Sequence, residues 1–193
     1  VERDEMTTAT LPTPPATLLT ADEFARRHGG DYVELIDGVV KELPVPFQEH
    51  GQVCFKVAFA LGNHVIPNDL GHLTTNDSFV QTKSNPDRVR GADVCFFSYE
   101  RLPKGPMPKG LFRVSPELVV EVRSPSDGWD DVFTKVGEYL AAGVRVVMVV
   151  DIATLSASLY RKDEFQQIFD NGDDLIIPDV LPSFAVPVRQ FFE

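Results

Sequence analysis

Three acidic side chains stand in apolar surroundings: Glu121 in LVVEVR (118–123), Asp93 in RGADVCFFS (90–98) and Glu34 in YVELIDGVV (32–40). An ionised carboxylate inside an apolar strand costs several kcal/mol unless it is paired or binds a metal. Two such acids on neighbouring strands, Asp93 and Glu121, form a candidate cation site. Glu34 has a plainer reading of equal weight, as an exposed residue on an edge strand or at a helix end. Basic groups are also placed to join them. The two-residue period of a strand puts Arg123 on the face of Glu121. Lys135 borders the apolar side of the helix that follows, so it can run along the protein body toward the sheet edge. A solvated border lysine is the simpler account of that residue alone.

Carboxylates with a lysine suit metal-assisted cleavage of a phosphodiester. Mg2+ is a hard cation that takes few protein carboxylates and keeps waters. It makes one water nucleophilic and neutralises charge developing on the phosphate. A lysine orients or deprotonates that water, or stabilises the transition state. Arginine is too weak an acid to serve as the base, so Arg123 supplies electrostatic stabilisation only.

The elements that must position these groups read as follows. Thr20-Ala-Asp-Glu23 is a capping box opening a short helix that Gly29-Gly30 ends. Residues 31–46 form two strands about an Asp37-Gly38 turn. Apolar positions 53, 54, 57, 58, 61 and 65 give a helix over 49–66, with His50 at the start of its stripe. His50 is either a satisfied, half-buried histidine or part of a site. Residues 71–83 make one or two strands, and 90–98 make another, with Asp93, Cys95 and Phe97 sharing a face. A Pro/Gly/Lys loop spans 100–113. Strand 118–123 is apolar on both faces, as in a central strand. A helix over 131–142, with Glu138 pointing away from the protein, leads to a buried strand at 144–150. A hairpin at 156–169 turns at Lys162-Asp163, and a short strand at 175–177 precedes the C-terminal tail. The sum is a mixed α/β domain with a central sheet.

With 193 residues the chain fits one domain over 19–193 behind a flexible arm at 1–18. No run is long and apolar enough to span a bilayer, and no basic-then-apolar leader opens the sequence, which points to the cytoplasm. Cys54 and Cys95 read as buried free thiols, and no Cys/His spacing resembles a zinc site. The net charge of −11 disfavours polyanions at long range. Seven basic residues against three acids between Lys83 and Arg113 allow a local basic surface, or simply a solvated loop. There is no GxSxG elbow or P-loop pattern, which sets aside the hydrolases built on them.

The stretches YVELIDGVV (32–40), RGADVCFFS (90–98), PELVVEVRSPSD (116–127) and DVFTKVGEYLAAGVRVVMVVD (131–151) together resemble the Uma2 family of bacterial proteins, within the PD-(D/E)xK restriction-endonuclease-like superfamily. The resemblance covers nearly everything after residue 18. It implies a restriction endonuclease-like core, with a central mixed sheet flanked by helices, an N-terminal hairpin and C-terminal strands. It implies metal ligands at Asp93 and Glu121, an early acid at Glu34, and Mg2+ as cofactor with Mn2+ as a substitute. The superfamily's lysine position falls on Arg123. Uma2-like proteins carry the lysine in the next helix, at Lys135. The implied activity is endonucleolytic hydrolysis of phosphodiester bonds, in DNA, by a protein that can pair as a homodimer. A nuclease fold kept as an inactive binding or regulatory module is the alternative. Gly91-Ala92 before Asp93, and Arg123 in place of an apolar residue, depart from the family pattern.

Overall fold

In a computed structural model, residues 18–111 and 113–193 are described; all but the last residue of the expected N-terminal arm lies outside them. Helix α1 (Ala21–His28) opens on the expected capping box: Glu23 N donates to Thr20 Oγ1 (3.3 Å) while Thr20 N donates to Glu23 Oε2 (3.0 Å). Strands β1 (Val33–Ile36) and β2 (Val39–Glu42) pair antiparallel about Asp37 and Gly38, both at positive φ (48° and 81°). That geometry is a type I′ hairpin turn, matching the right-handed twist of its strands.

Helix α2 (Gln48–Val65) precedes the long hairpin β3 (Gly71–Lys83) and β4 (Arg88–Ser98). Then come β5 (Leu118–Arg123), α3 (Trp129–Ala141) and β6 (Val146–Asp151), a crossover that makes β5 and β6 parallel. Strands β7 (Ser156–Tyr160) and β8 (Gln167–Phe169) extend the sheet; β9 (Asp174–Ile177) and β10 (Leu181–Pro187) form a separate pair. The tail is therefore largely strand, closed by a 3-10 turn at Val188–Phe191.

The eight-stranded sheet runs β2-β1-β4-β5-β6-β7-β8, with β3 also paired to β4. Strand β3 holds one edge of β4 from Arg88 to Ser98. Strands β1 and β5 therefore share the other edge: β1 meets β4 at Val89, and β5 meets it at Val94–Phe96. The β4 residues between, Arg90 to Asp93, lie in the fork where the partner changes.

Each face of the sheet is covered by a helix. Val53, Val57, Leu61 and Val65 of α2 pack with Val94, Phe96, Val120, Val122 and Met148. Val132, Val136 and Tyr139 of α3 pack with Cys95, Phe97, Val119 and Val147 on the opposite face. Burying both sides of β5 explains its unbroken apolar run. A third cluster ties Phe24 of α1 to Val33, Leu35 and Val89.

Candidate active site

The fork holds the acids. At Asp93 the β3–β4 register shifts: Thr75 opposes Val94 and Ser78 opposes Ala92, so Asn76 and Asp77 on β3 stand against Asp93 alone. Both bulged residues have positive φ (67° and 54°). A bulge leaves its residues outside the ladder and re-aims side chains. On the other edge the β4–β5 ladder stops at Val94–Val120. Asp93 takes over beyond it, its Oδ2 accepting Val122 N–H at 2.7 Å.

The bulge corrects one expectation. Asp93 does not share a face with Cys95 and Phe97; those two pack on the α3 side, whereas Asp93 Oδ2 lies 3.6 Å from His50 Nε2 of α2. Strict alternation fails at Asp93, because Ala92 lies in the α3-side cluster and Val94 in the α2-side one. His50 Nε2–H donates to Val122 O (3.0 Å), and its Nδ1 lies 3.4 Å from Cys54 Sγ. The neighbouring Asp93 carboxylate holds the His50 pKa above its ordinary value, against the opposing effect of burial. Burial, reinforced by Asp93, pushes the Cys54 thiol up, so it stays a neutral S–H beside Nδ1.

Glu121 points to the other helix. Its Oε2 accepts from Lys135 Nζ (2.9 Å) and its Oε1 from Tyr139 O–H (2.7 Å). Burial raises the Glu121 pKa to about 7; Lys135 pulls it down and the charge on Asp93 pushes it up. For Lys135, burial works against the charge, but Glu121 and Glu34 outweigh it and hold the ammonium protonated well beyond neutral pH. In this arrangement Lys135 is a cation, not a base.

Glu34 is 1% exposed, which rules out the edge-strand reading. Its Oε2 accepts from Arg90 (2.7 Å), and its Oε1 accepts from Gly91 N (3.3 Å) and lies 3.4 Å from Lys135 Nζ. Arg90 also donates to both oxygens of Glu138, at 2.7 and 2.9 Å, and Arg88 donates to Glu138 as well. Glu138 thus does not point away into water. It ties α3 to β4, and helical phase alone could not reveal that two arginines from β4 would meet it.

Glu34, Asp93, Glu121 and Lys135 line one cavity of about 430 Å³, with Asp77, Arg90 and His50. Arg123 also borders the cavity, but its charge is committed elsewhere. It donates to Asp151 Oδ1 (3.0 Å) and Asp127 O (3.1 Å), and its guanidinium lies 4.7 Å from the Trp129 ring centre. Asp77 was not picked out from the sequence; its neighbours Asn76, Ser78 and Thr75 give it no apolar signal. Burial, then the Asp93 charge, raises its pKa.

The Uma2 family profile, described as "Putative restriction endonuclease", matches residues 21–189. The protein belongs to the Uma2 family. Its fold is similar to that in the crystal structure of a "putative nuclease belonging to DUF820" from Anabaena variabilis. The TM-score is 0.76 and the identity 18%, over 90% of this chain and 97% of that one. Among curated proteins, none matches this sequence. Membership in Uma2 supports a nuclease, and the mixed sheet between helices agrees with the expected fold class. Among the described residues, no helix is long and apolar enough to cross a membrane.

The donors suit a hard divalent ion. Asp93 and Glu121 offer oxygen ligands on two strands of one cavity, and acids outnumber bases on its wall, seven Asp and Glu against four Lys and Arg and His50. Mg2+ requires only one or two carboxylates, with water completing its shell. The chemistry of these donors fits such an ion, with Asp93 turned toward His50 of α2 and Glu121 toward Lys135 and Tyr139 of α3.

Proposed function

We propose that this Uma2 protein is a Mg2+-dependent endonuclease hydrolysing phosphodiester bonds in DNA. Asp93 and Glu121 hold the ion, Mn2+ substitutes for it, and Lys135 is the catalytic cation. The observation carrying this reading is the cavity at the fork, where acids from β1, β4 and β5 meet one ammonium from α3.

A bound divalent ion supplies Lewis acidity at the phosphate and an acidified water. The rest falls to side chains. Asp93 is aimed by Val122 N–H, which bonds Oδ2, and its carboxylate supplies an oxygen ligand to the ion. Tyr139 holds Glu121 from the opposite side to Lys135. Lys135 stabilises negative charge on the phosphate or orients the attacking water. Its raised pKa favours those roles over proton abstraction. Arg90 and Gly91 N–H position Glu34, which helps keep Lys135 charged. Arg123 acts by fixing the β5–α3 connection rather than by touching substrate.

Recombinant protein should nick supercoiled DNA with Mg2+ or Mn2+, and Asp93→Asn and Glu121→Ala should each abolish nicking. Cleavage that survives both changes overturns the assignment. A second reading, an inactive binding module, draws on one observation: Lys135 already neutralises Glu121 and Glu34 within the protein. Calorimetry separates the two, since a folded protein that binds neither Mg2+ nor Mn2+ favours the inactive module.

A further inference from the structure

His50, Cys54 and Asp93 converge in a way the catalytic reading does not use. Among the described residues they are the one group of three or more His, Cys, Asp or Glu side chains whose ligand atoms all lie within 4.8 Å of one another. His50 and Cys54 are one turn apart on α2, an i, i+4 pair facing the same way. His50 Nε2 lies 4.0 Å from Cys54 Sγ and 3.6 Å from Asp93 Oδ2. Metal–ligand bonds of about 2.0–2.3 Å in a tetrahedron place ligand atoms roughly 3.3–3.7 Å apart. The His50–Asp93 spacing already falls in that range, and closing Cys54 onto the same ion requires side-chain shifts on the order of 1 Å, with His50 giving up Val122 O.

We propose that this cluster is a second cation site, selective for Zn2+ and similar thiol-loving ions, and that its occupation inhibits the nuclease by withdrawing Asp93. The inhibitory half rests on the function proposed above; the binding half does not. Nitrogen, sulfur and a single carboxylate suit Zn2+ and exclude Mg2+, which takes oxygen ligands. Three protein ligands leave a fourth position to water. On binding, the Cys54 thiol proton leaves to solvent and the ring proton of His50 moves to Nδ1, freeing Nε2 from Val122 O. Asp93 is common to both sites, so it can serve one ion fully or the other. Spacing along the chain does not reveal the cluster, because its third member, Asp93, lies on β4, 39 positions beyond Cys54.

The test uses the full chain with Co2+ as a spectroscopic probe and Zn2+ as a competitor of Mg2+. Wild type should bind Co2+ one to one with thiolate-to-metal charge-transfer absorption in the near ultraviolet. In the cleavage assay Zn2+ should inhibit, and added Mg2+ should relieve the inhibition. Cys54→Ala should lose the thiolate band and require more than about tenfold higher Zn2+ for the same inhibition. Its Mg2+-supported cleavage in the presence of a Zn2+-selective chelator should stay within about twofold of wild type. Cys54→Ser serves if the alanine variant fails to fold. Absence of the band in wild type, or its persistence in Cys54→Ala, overturns the site. Zn2+ that supports cleavage in wild type overturns the inhibitory role. If nothing is cleaved under any condition while the Co2+ band depends on Cys54, the nuclease reading fails and the site stands.

Discussion

The ammonium of Lys135 stands between Glu121 Oε2 (2.9 Å) and Glu34 Oε1 (3.4 Å), so one cation from α3 serves carboxylates from two different strands. If Lys135 and a divalent ion neutralise the same acids, removing the lysine should make the fold depend on the ion. Lys135→Met is expected to lower cleavage by at least about 100-fold and to cost on the order of 3 kcal/mol of stability without metal. Thermal melts should then show a larger Mg2+-induced stabilisation for the variant than for wild type. Equal shifts would mean that ammonium and ion do not compete for these carboxylates.

Asp93 combines a structural and a chemical task that one substitution can separate. In Asp93→Asn the amide oxygen still accepts Val122 N–H, while the charge disappears. The melting temperature should stay within a few degrees of wild type. Cleavage should fall by about 100-fold or more, and calorimetric Mg2+ affinity should fall with it.

Arg90 is 7% exposed and bridges Glu34 to Glu138. Replacing it with leucine leaves two carboxylates short of their main partner. Urea denaturation of Arg90→Leu should show a loss of about 3–5 kcal/mol, as for other broken buried ion pairs. A loss below about 1 kcal/mol would show that Arg88 and Lys135 suffice for both acids.

Arg123 and Lys135 should part company in activity. Arg123 is spent on Asp151 and the Trp129 ring, so Arg123→Gln should reduce cleavage less than about tenfold while clearly lowering stability. A loss as deep as that of Lys135→Met would return Arg123 to the catalytic set.

The Glu121 carboxyl titrates at about 7 in the fold, against 4.5 for the ordinary group. Between those values the folded state binds more protons than the unfolded chain, so this group's contribution to stability falls as pH rises through the window. Glu121→Gln removes that dependence. The stability difference, variant minus wild type, should rise on going from pH 4.5 to pH 8 by an amount on the order of 3 kcal/mol or less. Melts in metal-free buffer across that range measure it, and a flat or falling difference would contradict the burial-driven shift.

The sequence by itself determined most of the elements and which acids stand in apolar surroundings. Glu34, Asp93 and Glu121 stood out because an acid between valines and leucines is costly, and that cost is a local property. The Thr20 capping box, the Asp37-Gly38 turn and the doubly covered β5 were equally local, written in backbone preference and apolar period. Only the tertiary structure decided how the acids meet. Alternation along β4 pointed Asp93 to the wrong face, because a bulge in a different strand, at Asn76-Asp77, breaks the ladder there. Helical phase sent Glu138 outward, because nothing in α3 records that Arg88 and Arg90 arrive from β4. The convergence of His50 and Cys54 with Asp93, and the pairing of Arg123 with Asp151, have the same origin. Strand pairing and helix docking join residues far apart in the chain, and no local period carries that information.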